Sequence, residues 1–196
     1  YLILGFVSVF SCVLLHELGH ALVAKKFNIQ ARDILLTPIG GLARLKSKLI
    51  KPREEILIAF AGPFMNFCLA CLFFLIIFFS GNLELINIQN IGVASDIKDF
   101  VGLLFFINAI LFLFNLIPAF PMDGGRIFRA VLNLKFSRTT STLVASLTGK
   151  FFALIFVFLG VKHNYYALII VGAVVYLLAE QESRQELNEI SNTIVD

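Results

Sequence analysis

Two histidines four residues apart flank a glutamate in His16-Glu17-Leu18-Gly19-His20. On a helix, positions i and i+4 share one face, so both imidazoles project together and can grip a single zinc ion. Glu17, next to His16, sits close enough to act as base on a water that the metal has acidified. The chain has three histidines, and two of them fall in this pattern. Chance is therefore a weak explanation. The competing explanation is a structural polar cluster bonded to neighbouring helices.

A catalytic zinc usually takes three protein ligands and keeps one position open. Lys26 stands where a metzincin would place a third histidine, and no acid occurs between Asp33 and Glu54. Asp33 lies beyond the basic end of the helix, and His163 falls in an outer loop on the wrong side. That leaves Asp123, in the run Asn115-Leu116-Ile117-Pro118-Ala119-Phe120-Pro121-Met122-Asp123-Gly124-Gly125-Arg126. Two prolines unwind the preceding helix, and two glycines permit a tight turn that aims the carboxylate back. An ion pair with Arg126 or a helix cap remains the rival reading of Asp123.

The elements that carry these residues are set by composition. Of 196 residues, 59% are hydrophobic and 15% charged, against about 45–50% and about 25% in soluble domains. The mean hydropathy is +0.90. Such a chain is an integral membrane protein, and its 22 Phe exclude disorder. No basic face with interleaved aromatics points to nucleic acid. Four stretches reach spanning length: 1–24, 56–80, 100–122 and 139–161, with a shorter fifth at 165–179. The expected fold is an all-α polytopic membrane protein of about five transmembrane helices. A small β-strand or re-entrant element is expected between the first two, because 28–49 mixes strand-like runs with the turn signal Pro38-Ile39-Gly40-Gly41. An ordinary basic loop is the alternative there. Tyr1 already lies in an apolar run, so an upstream segment is expected.

Lysine and arginine orient the bundle. With the first helix running inward, thirteen fall on the cytoplasmic side and only Lys98 and Lys162 outside. Lys150 lies inside the fourth span, either snorkelling to an interface, the favoured reading, or facing a wet interior. Tyr165 and Tyr166 read as outer interface anchors. Counting from Lys25, His20 and His16 lie roughly 7 and 14 Å deep. On the second helix, Ala61-Gly62-Pro63-Phe64-Met65-Asn66 lies roughly 14–20 Å deep, level with His16. A carboxylate and two imidazoles inside a span are functional by default, whereas a Gly-Pro kink taken alone is more often a packing feature than a site. Cys12, Cys68 and Cys71 all fall in apolar runs and read chiefly as small buried hydrophobes. Cys68 and Cys71 leave a redox or metal pair open.

His16-Glu17-Leu18-Gly19-His20, Gly62-Pro63 with Asn66, and Asn115-x-x-Pro118 leading to Asp123-Gly124 together resemble the site-2 protease family of intramembrane zinc metalloproteases. The resemblance covers most of the chain and is closest to the compact archaeal subgroup. It implies one zinc per chain on His16, His20 and Asp123, with Glu17 as catalytic acid and base. It implies that Asn115 contributes to substrate or oxyanion binding, and Asn66 is placed in the same set. It also implies a transmembrane protein as substrate, an additional helix before the first, and CBS domains after the last. Residues 1–182 are then the protease core, and 183–196 a cytoplasmic juxtamembrane tail. The rival classes are a metal transporter or channel, a non-catalytic membrane scaffold, and a membrane-embedded peptidase for soluble peptides. A transporter needs polar residues continuing through the bilayer, yet 1–9 and 69–79 are almost wholly apolar.

Overall fold

The computed structural model describes residues 2–29, 31–37, 40–45, 50–83 and 97–195. Among them the elements run α1 (Leu2–Lys26), β1 (Ala31–Thr37), β2 (Gly40–Leu45), α2 (Pro52–Phe79), α3 (Ile97–Asn115), α4 (Asp123–Leu132), α5 (Arg138–Lys162) and α6 (Tyr166–Val195). Four helical segments are long and apolar enough to cross a bilayer: Gly5–Lys26, Pro52–Phe79, Arg138–Lys162 and Tyr166–Asn188. The apolar part of α3, Asp99–Asn115, is shorter. The expected count of about five full spans is therefore not reached among the described residues. The stretch 100–122 is not one span because α3 stops at Asn115, just before Pro118 and Pro121, whose rings remove the N–H groups a continuing helix needs.

The chain forms two compact units, residues 1–48 with 60–115, and residues 49–59 with 116–196. In the first, α1 and α2 meet backbone to backbone. A Cβ on Gly19 would lie 2.7 Å from the Ala61 carbonyl oxygen, so only glycine permits this approach. Lipid tails are as apolar as leucine, so close contact through small residues is what holds membrane helices together. Phenylalanine pairs join α2 to α3, Phe67 with Phe112 at 5.3 Å and Phe74 with Phe105 at 6.0 Å between ring centroids. Asn108 of α3 is buried, and its Nδ2 donates to Cys12 Sγ of α1 at 3.2 Å. Strands β1 and β2 pair antiparallel, with Thr37 opposite Gly40 and Ala31 opposite Leu45. Pro38 and Ile39 of the expected turn lie outside the described residues.

In the second unit, α5 and α6 run antiparallel. A Cβ on Gly160 would lie 2.6 Å from Ile169 Cγ1, and one on Gly172 2.8 Å from the Ala153 carbonyl oxygen. Ser146 Oγ donates to the Ala179 carbonyl at 2.5 Å. Lys150 of α5 has a partner across the helices. Its ammonium ion-pairs with Glu180 of α6, and Glu180 also accepts from Arg184 Nε at 2.7 Å. Charges inside apolar helices persist when they find each other. Lys150→Met should lower the unfolding midpoint in detergent, because the Glu180 carboxylate loses its partner across the helices. Adding Glu180→Gln should recover most of that loss. An unchanged midpoint in the single variant would show the pair to be stabilising nothing.

The last helix was expected to end at residue 179, yet α6 continues to Val195. Its acidic residues have partners that keep it packed. Arg129 Nη1 of α4 donates to Glu182 at 2.8 Å, and Arg138 lies 3.6 Å from Glu186. Arg129 also donates from Nε to Glu55 at 3.0 Å and lies 5.2 Å from the Phe120 ring centroid. Burial alone would lower the Arg129 pKa, but Glu55 and then Glu182 more than reverse this and hold it above its usual value.

The expected tight turn at 123–125 is instead the first turn of α4. A Cβ on Gly124 would lie 2.3 Å from the Ile117 carbonyl oxygen, and one on Gly125 2.5 Å from the Ala119 carbonyl carbon. These glycines allow a helix to press on the 116–120 segment; they do not supply a reversal. Cys12 is buried as expected, whereas Cys68 and Cys71 are exposed on α2, and all three are free thiols.

Candidate metal centre

The two histidines of α1 are 6% and 8% exposed. Their Nε2 atoms stand 3.1 Å apart, with the rings edge to face. Two nitrogens on one tetrahedral zinc, at the usual bond lengths, are about 3.3 Å apart. The donor pair therefore fits a zinc ion. Glu17 follows directly on the same helix and is half-buried.

The antiparallel α2 builds the wall behind the imidazoles. Gly62 and Asn66 are spaced four residues apart, as the histidines are, and each faces one of them. A Cβ on Gly62 would lie 2.3 Å from His20 Nε2 and 2.7 Å from His16 Nε2. The missing side chain is the room in which the rings sit. Asn66 is fully buried, and its amide lies 3.0 Å from His16 Nδ1. The sequence placed Asn66 among substrate or oxyanion residues. The structure engages it on the far ring nitrogen of a candidate ligand.

The other candidates stand differently. Asn115 ends α3, and its Nδ2 donates to the Leu111 carbonyl of its own helix at 3.0 Å. Asp123 opens α4 in the second unit and is 7% exposed. His163 caps α5 and stacks on Tyr165, with centroids 6.1 Å apart. Asn108 was passed over in the sequence, although a lone amide within an apolar stretch is a signal. It donates to Cys12, one helical turn before His16.

The model of peptidase family M50 matches residues 4–159. This chain belongs to peptidase family M50. A zinc metalloprotease of Methanocaldococcus jannaschii is 41% identical over 179 residues, covering 91% of this chain and 49% of that relative. The chain thus spans about half the length of this curated M50-like relative. The solved site-2 protease from Methanocaldococcus jannaschii is similar with a TM-score of 0.68 and 37% identity, covering 91% of this chain and 76% of that one. The first of these relatives is named for zinc, and the nitrogen donors of α1 in this M50 member are of the kind that metal takes.

Proposed function

We propose that this chain is the core of an intramembrane zinc endopeptidase that hydrolyses peptide bonds in or near transmembrane segments of other membrane proteins. The observation that carries the reading is the pair of buried imidazoles, 3.1 Å apart at Nε2, with a glutamate beside them on an apolar helix of spanning length. His16, His20 and Asp123 would hold one zinc per chain. When bound, the metal supplies Lewis acidity, bringing the pKa of water toward 7 and polarising a carbonyl. Glu17 takes the proton from the attacking water and then passes it to the leaving amine. Asn115 commits one amide hydrogen to Leu111 and has a second to offer a developing oxyanion.

A transmembrane helix hides its carbonyls in its own hydrogen bonds, so the substrate must unwind before attack. An extended substrate segment can add to an edge of the β1–β2 pair, where backbone hydrogen bonds supply affinity independent of side chains. The excess of Lys and Arg on the loops after α1 and after α3 supports a site opening to the cytoplasm. Residues 1–182 form the core in this reading. Residues 183–196 lead into the cytoplasm, where CBS domains would lie.

Protein purified in detergent should carry about one zinc per chain and cleave a model transmembrane substrate. Stripping the metal with a chelator should abolish cleavage, and adding zinc back should restore it. Cleavage that persists after complete metal removal would overturn the reading.

A further inference from the structure

We propose that Asn66 is a positioning residue that selects the His16 tautomer in which Nε2 is open to a metal. The inference rests on the zinc reading above. A histidine that ligates through Nε2 carries its proton on Nδ1, and that proton needs an acceptor. Asn66 is 0% exposed and has one polar contact across the helices, the 3.0 Å approach to His16 Nδ1. Among the described residues, Asn66 Oδ1 has no hydrogen-bond partner.

The oxygen and nitrogen of an amide occupy the same outline, so the hydrogen-bond network decides which is which. With Nδ2 toward the ring, Asn66 would donate to Nδ1, force the proton onto Nε2 and leave its own oxygen buried without a donor. With Oδ1 toward the ring, the oxygen accepts Nδ1–H, and the Nε2 lone pair turns to the side shared with His20. Only the second orientation leaves Nε2 without a proton and able to take a metal. The placement is built into the helix pair. Gly62 clears space at His20, and one turn later Asn66 reaches His16.

Two variants and one spectrum test this. Asn66→Leu keeps the branched outline and removes the acceptor, so zinc affinity measured by chelator competition should fall about 10- to 100-fold. Asn66→Asp keeps an oxygen at the same place and should bind zinc close to the native level. In metal-stripped native protein, 15N spectra of labelled histidine should show His16 protonated at Nδ1. Native affinity in Asn66→Leu would overturn the proposal, as would an Asn66→Asp protein as weak as Asn66→Leu. A His16 proton on Nε2 in the stripped native protein would also overturn it. Native protein that binds no zinc would instead sink the metal reading itself, and this one with it.

Discussion

Replacing Glu17 by Gln should leave the zinc content unchanged and lower cleavage of a transmembrane substrate by about 10²- to 10⁴-fold, the usual contribution of a general acid–base group. The amide keeps the shape and polarity of the carboxylate but cannot take a proton from water at neutral pH. Gly62 and Asn66 of α2, which support His16 and His20, are left unaltered, so the metal should stay. The measurement is paired: metal analysis and cleavage on the same preparation. Cleavage retained in Glu17→Gln would remove the glutamate from the chemistry. A zinc flux in vesicles that survives the substitution would favour transport over hydrolysis.

Gly62→Ala should separate the fold from the metal. The new Cβ would lie within 2.3 Å of His20 Nε2 and 2.5 Å of His20 Cε1. Those atoms are the far end of a side chain, so the ring swings away and the backbone stays. Displacing a ligand should weaken zinc at least as much as disturbing a ligand's support, about 10- to 100-fold. Cleavage should fall with it, while thermal unfolding of the metal-stripped protein stays near native. Gly19→Ala supplies the contrast. Its Cβ would meet the Ala61 carbonyl oxygen at 2.7 Å, which is backbone, so the helices must part at a cost of about 1–3 kcal/mol. If Gly62→Ala binds zinc as the native protein does, α2 is not the wall of the site.

The metal helix was legible because His16 and His20 repeat at the helical period, in a chain with only one other histidine. That spacing puts both rings on one face, while the approach of their Nε2 atoms depends also on the room at Gly62. Gly62 and Asn66 were legible as a polar interruption but not as a backing for the rings. Their role depends on which face of α2 meets α1, and a helix apolar all round gives no such direction. The α4 helix was missed because Gly124-Gly125 imitates a turn; close contact with residues 116–120 overrides glycine's low helix propensity. The length of α6 was underestimated for a related reason. Glu180, Glu182, Arg184 and Glu186 look like the start of a solvated tail until Lys150, Arg129 and Arg138 are found opposite three of them. Lys150 itself carries no sequence signal of its partner, thirty positions away.

The 30 residues of α6 make a rod of about 45 Å, longer than the roughly 30 Å hydrocarbon layer. It is bolted at successive turns: to α5 through Ser146 and Lys150, to α4 through Arg129, and to α5 again through Arg138. A torque applied near Val195 therefore cannot be absorbed by a loose joint at the membrane border. It is delivered along a stiff lever to α5 and to α4, the helix that Asp123 begins.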